Sequence, residues 1–262
     1  MSDIKYRFPA GFIWGSSVWA TGTESAAFED GKAETVWDRH FMIDPDRFFN
    51  HVSSNDTLNM YHDYNRFADK SAELGQTSYR TSILWARLLP DGKNVNRNAA
   101  DYYRNMFKAF KDKGVFLSVV LYWFDMPLLY ENRGGFSNRN IIEDYVYYCK
   151  ICFELFDGLV DAWFIYNEPI MDIFFKYQMG ICYPCECDLA KALTSVYNMC
   201  IAHSEVVRVF KENGYKGRIG SVLNQSMVYP RSDRKEDLQA KRMYELLSFE
   251  CFEYPLLKGE FS

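Results

Sequence analysis

The chain has 262 residues and a formal net charge of −5, with 48% hydrophobic and 18% aromatic residues. This length and apolar content are sufficient for a large hydrophobic core in one or two domains. The acidic balance, without any basic block, argues against a nucleic-acid partner, and no run of 18 apolar residues predicts a membrane span. No basic segment followed by an apolar one opens the sequence, so we expect a cytoplasmic protein.

Apolar, β-rich runs alternate along the chain with longer amphipathic segments of helical period. The predicted strands cover residues 12–16, 77–83, 116–122, 162–166 and 218–223. The predicted helices cover residues 56–74, 99–113, 138–156, 189–213 and 235–252. Asp56 is the expected N-cap of the first helix, and Gly75 its stop. This alternation predicts an α/β fold with a parallel sheet and right-handed crossovers.

The spacing of the predicted strands indicates a barrel that is present only in part. The strand starts are separated by about 50 residues, and eight such units need on the order of 400 residues. The sequence therefore predicts one incomplete domain over residues 1–262, containing about the first five units of a (β/α)8 TIM barrel.

Seven cysteines, an odd number, indicate reduced thiols rather than a disulfide framework. Cys149 and Cys152 lie three positions apart in a predicted helix, and we expect them to face the core or a neighbouring helix. Cys182, Cys185 and Cys187 lie in the segment ICYPCECD. A closed zinc site needs four ligands, and no histidine completes this set. We therefore expect no metal and no cofactor.

An apolar run ends abruptly in a polar pair within residues 162–169, AWFIYNEP. A carboxylate directly after a buried strand is costly unless the strand end opens into a water-accessible cleft. In parallel α/β folds, ligands and catalytic groups collect at that end of the strands. Pro169 ends the strand because it has no N–H to donate. Glu168 is therefore the first candidate for a catalytic acid, and a solvated Asn-Glu turn is the alternative interpretation.

Six segments carry a resemblance to a known family, in the right order and spacing. They are FPAGFIWGSSVWATGTESA, YRTSILWARLLPDG, LYWFDMP, WFIYNEP, IGSVLNQSMVYP and FEYPLLKGEFS. The chain resembles glycoside hydrolase family 1, the retaining β-glucosidases and 6-phospho-β-glucosidases. The resemblance covers essentially the whole chain but only the N-terminal part of the family's length. It implies a TIM barrel that hydrolyses a small-molecule β-glycoside without a cofactor.

By this resemblance, Glu168 is the general acid/base and Asn167 hydrogen-bonds the sugar 2-hydroxyl. Arg80 matches an arginine beside the nucleophilic carboxylate, and a structural ion pair at the barrel rim is its alternative role. A retaining glycosidase needs one carboxylic acid to protonate the leaving oxygen and a second carboxylate about 5–5.5 Å away to attack the anomeric carbon. A guanidinium lowers the pKa of that second group, which separates the two roles.

Three departures from the family pattern modify this expectation. The Thr-Glu-Asn-Gly-type motif with the nucleophile, and the tyrosine that contacts it, do not occur in the sequence. Gly22 stands where the family has a sugar-binding glutamine, although Glu24 is retained. Trp123 and Phe124 stand where the family has His-Trp, which places Trp123 in the expected substrate-binding set. The two losses are coordinated, because one polar group left alone in a dry pocket would cost about 1–3 kcal/mol.

Three hypotheses follow from these departures. The first is the N-terminal part of a family member with altered glycone specificity, whose remaining part is removed or supplied separately. The second is a degenerate paralogue that binds a sugar or a partner without catalysis. The third is a half-barrel scaffold that pairs with a second copy or another chain through its two open edges. The chain alone is expected to lack retaining hydrolysis, since one carboxylate cannot perform a two-carboxylate displacement.

Structural roles are expected for five further residues. We expect His203 to be packed inside the fold. We expect Trp14, Trp37 and Trp85 to belong to the core rather than to sugar-stacking platforms. Asp125 follows the third strand and either orients a residue of the cleft or caps the next turn, and capping is the favoured interpretation.

Overall fold

The sheet contains five parallel strands that pair in sequence order, in a computed structural model that describes residues 7–260. The strands are β1 (Gly15–Ser17), β2 (Ser78–Ser82), β3 (Phe116–Tyr122), β4 (Ala162–Asn167) and β5 (Arg218–Val222). Parallel neighbours in sequence order, each joined by a helical crossover, form an arc of the β/α-barrel type. Within residues 7–260, no strand pairs with the outer edge of β1 or of β5.

Helices occupy every connection between the strands and also follow β5. They are α1 (Val36–Ile43), α2 (Met60–Glu73), α3 (Trp85–Leu88), α4 (Arg97–Asp112), α5 (Leu128–Glu131), α6 (Ile141–Phe156), α7 (Pro169–Ile173), α8 (Leu189–Glu212), α9 (Lys235–Glu245) and α10 (Cys251–Lys258). π-helical turns follow α7 at Phe174–Gln178 and α9 at Leu246–Glu250. None of the described helices is both long enough and apolar enough to cross a membrane.

The ends of the long helices follow from local side-chain chemistry. The Asn96 side chain accepts a hydrogen bond from the Ala99 N–H at the start of α4, and Asp188 does the same for the Lys191 N–H at the start of α8. Each bond satisfies one of the N–H groups that a helix start leaves unpaired. Gly114, with a φ of +73°, ends α4 in the left-handed region that suits glycine.

The first strand begins later than predicted, at Gly15 instead of residue 12. A Cβ atom at Gly15 would lie 2.5 Å from the Ser78 carbonyl oxygen, so this close approach of β1 to β2 requires a glycine. Phe12 and Trp14 do not enter the sheet. Their rings pack instead on Phe8 in an exposed aromatic cluster, with centroid distances of 4.6–4.8 Å. The expectation that Trp14 is a core residue was therefore wrong.

The first long helix also begins later than predicted, at Met60, and Asp56 is not its N-cap. Asn59 precedes the helix in a left-handed conformation and makes no side-chain cap. The hydroxyl of Ser25 accepts hydrogen bonds from the N–H groups of Thr57 and Asn59, both at 3.1 Å, and so holds this segment as a loop. The last predicted helix is divided by a π-helical turn and continues to Lys258.

The core lies between the sheet and helices α4, α6 and α8. Leu117, Val119 and Leu121 alternate along β3 and pack into this core, so the residues between them face the opposite side. Register places Arg80 of β2 beside Ser118 of β3 on that opposite side. Arg80 therefore lies on the face turned away from the helices.

Stacked aromatic rings fill much of this core. Trp85 stacks on Tyr148 with centroids 5.0 Å apart, and Tyr79 stacks on Phe110 at 4.1 Å. The prediction for Trp85 is confirmed, since its side chain is fully buried. The thiols of Cys149 and Cys152 are buried on α6, as expected from their spacing in the helix.

Candidate active site

Glu168 lies directly after β4, at the carboxyl end of the strands. Its φ of 47° and ψ of 55° are left-handed, which turns the chain sharply out of the strand. The Glu168 N–H donates to the Val222 carbonyl oxygen at 2.8 Å, which fixes the turn to the end of β5. The side chain is partly exposed, and its Oε2 accepts a hydrogen bond from Asn224 Nδ2 at 3.2 Å. A carboxylate in this place is reachable by a ligand and is oriented by one amide.

Asn167, the last residue of β4, is almost fully buried, with 2% of its surface exposed. Its Oδ1 has no hydrogen-bond partner among the described residues. An unpaired buried acceptor costs about 1–3 kcal/mol, so it is a position where a donor from a ligand gains free energy. Asn167 and Glu168 thus present adjacent groups at the same strand end.

Arg80 extends from β2 and is half-buried. Its Nε donates to Ser17 Oγ at 2.7 Å, and its guanidinium lies 4.7 Å from the centre of the Trp123 ring. Burial lowers the pKa of Arg80, and the nearby Glu168 carboxylate acts in the opposite direction. No carboxylate within residues 7–260 forms an ion pair with Arg80, so the structural ion pair expected as its alternative role is not formed there.

Aromatic rings surround the segment after β3. Trp123 is partly exposed beside Arg80, and the carbonyl oxygen of Phe124 accepts a hydrogen bond from Trp37 Nε1 at 2.7 Å. Trp37 in turn packs edge-on against Trp19 at 5.2 Å. The Trp19 ring lies against Gly22, where a Cβ atom would meet it at 3.3 Å. The glycine therefore leaves room for an indole beside the strand ends.

Asp125 does not cap the turn that follows it, contrary to expectation. Its Oδ1 accepts a hydrogen bond from the Trp123 N–H, two residues earlier, at 3.1 Å. Its Oδ2 has no partner among the described residues. The carboxyl group is fully buried, and this burial raises its pKa to about 7. Asp125 thus fixes the backbone that carries Trp123.

Glu24 does not reach the candidate site but lies in a buried network. Its Oε2 accepts from Arg87 Nε at 2.9 Å, and its Oε1 accepts from the Tyr103 hydroxyl at 2.9 Å. Burial raises the pKa of Glu24, although the charge of Arg87 opposes the rise. This carboxylate is fully engaged in holding the segment after β1 against α3 and α4.

Asn224 was missed by the sequence analysis. It follows β5 as Glu168 follows β4, so the rule that selected Glu168, a polar residue just after an apolar strand, would have found it. A cleft beside Glu168 and Asn224 is also lined by Phe249, Phe252 and Glu253 from the last two helical segments.

Histidine and cysteine side chains supply no metal site in the described part of the chain. Among residues 7–260, no three side chains of His, Cys, Asp or Glu come together as ligands, and all seven cysteines are free thiols. His203 packs against Tyr166 and Phe252, with ring centroids 6.3 Å apart in both cases, and burial lowers its pKa to about 4. It is packed inside the fold, as expected.

Comparison with known proteins accounts for this arrangement. The family model described as glycosyl hydrolase family 1 matches residues 4–262. The chain belongs to glycosyl hydrolase family 1. Among curated family members, it is 37% identical to the 6-phospho-beta-glucosidase GmuD of Bacillus subtilis, over 98% of this chain and 56% of that protein. It is 32% identical to beta-glucosidase A of Acetivibrio thermocellus, over 98% of this chain and 57% of that protein.

Solved structures of family 1 enzymes share the fold. A beta-glucosidase from Exiguobacterium marinum superposes with a TM-score of 0.93 at 29% identity, over 98% of this chain and 58% of that one. The family 1 β-glucosidase from Thermotoga maritima, solved with isofagomine lactam, superposes with a TM-score of 0.91 at 29% identity. This superposition covers 97% of this chain and 58% of that one. The predicted fold, about five units of a TIM barrel, is confirmed. The chain spans somewhat more than half the length of these family 1 relatives.

Proposed function

We propose that this chain provides the acid/base half of a retaining β-glycosidase site that acts on β-glucosides or 6-phospho-β-glucosides. The observation that carries the proposal is the position of Glu168. It is a partly exposed carboxylate at the carboxyl end of β4, hydrogen-bonded by Asn224 and within electrostatic reach of Arg80. The relatives named as β-glucosidase and 6-phospho-β-glucosidase support the substrate class.

In this proposal Glu168 protonates the leaving glycosidic oxygen and then removes a proton from the attacking water. Asn224 holds the carboxylate in position, and Asn167 offers its unpaired Oδ1 to a sugar hydroxyl. Arg80 supplies the positive charge beside which a second carboxylate would stay ionised. Trp123 lines the same space with an aromatic face in place of a polar group. The replacement of a polar group by the Trp123 ring supports an altered specificity for the sugar.

The second carboxylate is the missing chemical group. Retaining hydrolysis requires two carboxyl groups about 5–5.5 Å apart. Since no carboxylate of the described residues pairs with Arg80, we propose that a further polypeptide segment supplies it across the open edges of the sheet. Without that segment, the 262-residue chain is expected to be inactive.

A second candidate function is binding without turnover, either as a degenerate paralogue or as a scaffold that associates with another chain. The same Arg80 favours it, because the guanidinium is engaged by Ser17 and Trp123 rather than by a carboxylate. Under this alternative, the polar groups at the end of β4 bind a ligand without turning it over.

The test is an assay of chromogenic β-glucosides and 6-phospho-β-glucosides with the chain alone and with a complementing C-terminal fragment. The fragment is the part of the Bacillus subtilis relative that lies beyond the region aligned with this chain. We expect no turnover by the chain alone. With the fragment, we expect turnover that Glu168→Gln lowers by about 10²–10⁴-fold, the usual contribution of a general acid/base.

Glu253→Gln is the matched control, because Glu253 is a glutamate that lines the same cleft. It should leave turnover within a few-fold of the parent. Turnover by the purified chain alone that disappears in Glu168→Gln would refute the need for a second segment and imply a substitute nucleophile. A stable complex that binds glycosides without turnover would favour the second candidate.

A further inference from the structure

Two cysteines occupy the first and fourth positions of a turn in the loop between α7 and α8. The Cys185 N–H donates to the Cys182 carbonyl oxygen at 2.7 Å, which closes a four-residue turn. Such a turn holds the Cα atoms of its first and fourth residues within about 7 Å, and disulfides span Cα separations of about 4.4–6.8 Å. We propose that Cys182 and Cys185 form a redox-active dithiol, which closes to an intramolecular disulfide by exchange with a small-molecule disulfide.

The third thiol of the loop is turned away from this pair. Cys187 Sγ lies 3.7 Å from the Gln178 carbonyl oxygen and packs beside Gly180, where a Cβ atom would meet it at 3.1 Å. The Cys187 thiol thus contacts the backbone of residues 178–180, at the start of the loop. Cys149 and Cys152 are buried on α6 and are closed to reagents. The geometry therefore selects Cys182 and Cys185 among the cysteines of this region.

The surroundings of the two thiols set the order of attack. Cys185 is exposed, whereas Cys182 is partly covered. Burial and the charge of Asp172 raise the pKa of the Cys182 thiol to about 11, although the charges of Lys176 and Arg47 oppose the rise. Burial also raises the pKa of Cys185, and the Arg47 guanidinium opposes that rise. The accessible Cys185 therefore attacks first, and Cys182 resolves the product.

The exchange balances without any further reactant. The Cys185 thiolate attacks one sulfur of the small disulfide, forms a mixed disulfide and releases one small thiol. The Cys182 thiolate then attacks Cys185 Sγ and releases the second small thiol. The protein loses two protons and two electrons, and the small disulfide gains them.

The dithiol lies in a segment that begins at Glu168, but the proposal does not depend on a catalytic role for that residue. Cys182 lines an open pocket together with Trp37, His40 and Phe48. Trp37 also donates to the Phe124 carbonyl oxygen beside Trp123. Closure of the disulfide thus fixes one wall of this pocket.

The experiment equilibrates the 262-residue chain with mixtures of oxidised and reduced glutathione, followed by acid quenching, alkylation and mass spectrometry. We expect a loss of about 2 Da as the mixture becomes more oxidising, with two of the seven thiols protected from alkylation. Fragment spectra of the tryptic peptide 177–191 should assign both protected thiols to Cys182 and Cys185.

Three variants separate the steps of the exchange. Cys187→Ser should keep the loss of about 2 Da. Cys182→Ser should instead accumulate a glutathione adduct on Cys185, because the resolving thiol is gone. Cys185→Ser should abolish the intramolecular bond. A chain that keeps seven alkylatable thiols in excess oxidised glutathione would overturn the proposal, as would loss of the bond in Cys187→Ser or absence of the adduct in Cys182→Ser.

Discussion

Several buried polar atoms around the strand ends have no partner among the described residues. They include Trp19 Nε1 and Thr21 Oγ1 after β1, Asp125 Oδ2 after β3, and Asn167 Oδ1 at the end of β4. Most buried polar atoms in proteins are hydrogen-bonded. Several unpartnered polar atoms at one end of a parallel sheet are therefore typical of a site for a polar ligand. Glu168 directly follows Asn167, and its carboxylate accepts a hydrogen bond from the Asn224 amide.

Asp125 is expected to make stability depend on pH. Its carboxyl group has an ordinary pKa of 3.8 and a folded-state pKa of about 7, raised by burial. Between these values the unfolded chain releases the proton and the folded chain keeps it, so the contribution of Asp125 to stability falls as the pH rises. Asp125→Asn removes this fall. The free energy of unfolding of the variant, relative to the parent, should rise by about 2–3 kcal/mol between about pH 5 and about pH 8.

Urea unfolding of both proteins at the two pH values measures this difference. Asp101→Asn serves as the control, because Asp101 is an exposed carboxylate and its replacement removes the same charge. A difference between Asp125→Asn and the parent that stays constant across this pH range would contradict the buried, protonated state of Asp125.

At the scale of elements, a buried ionic network joins β3, α5 and α7 behind the candidate site. Lys176 Nζ lies 3.1 Å from Glu131 Oε2 and 3.3 Å from Asp172 Oδ2, and all three side chains are at most 4% exposed. The hydroxyls of Tyr122 and Tyr177 complete the network by donating to Asp172 and Glu131. Burial lowers the pKa of Lys176, but the two carboxylates outweigh it and raise the pKa. The helix that follows Glu168, α7, is thereby fixed to the sheet.

Lys176→Met should therefore destabilise the fold strongly. The substitution leaves two buried carboxylates without a counter-charge, and the removal of one partner from a buried pair costs about 3–5 kcal/mol. Lys191→Met is the matched control, since the Lys191–Glu186 pair is about 40% exposed and is worth less than about 1 kcal/mol. Denaturant unfolding measures both. An equal loss of unfolding free energy in the two variants would show that the buried network stabilises the fold no more than an exposed ion pair does.

At the scale of the whole molecule, the described sheet has two open edges with apolar surface beside them. Phe12 and Trp14 are exposed next to β1, and Leu223, Met227 and Tyr229 are exposed after β5. Unpaired strand edges with exposed apolar side chains favour association with other chains. The same edges are where a complementing segment would pair.

The isolated 262-residue chain should consequently associate as its concentration rises. Light scattering coupled to size exclusion should give a mean mass that increases with concentration. Trp14→Lys and Met227→Lys place charges beside the two edges and should shift the protein towards the monomer. Met42→Lys on α1 is the control, because Met42 is exposed but lies outside the residues beside the edges. A monomer at every concentration would argue against docking at the edges.

Local patterns in the sequence determined the type and order of the strands and of the long helices. The runs that became β2 to β5 were placed within one residue at each end, because apolar, β-branched runs and helical periods are properties of adjacent residues. The same holds for Glu168, whose place at a strand end follows from the apolar run before it and from Pro169 after it. Two elements start later than predicted, β1 at Gly15 and α2 after Asn59. Both starts depend on contacts with segments distant in the sequence.

Only the tertiary structure decided which side chains meet. Strand register brings Arg80 to Trp123 and Asn224 to Glu168, and helix packing brings Lys176 to Glu131. These contacts join residues that are far apart in the sequence, so no local pattern encodes them. The sequence by itself thus determined a family 1 barrel arc with one carboxylate at a strand end. The three-dimensional packing decided which groups hold that carboxylate and which edges remain open.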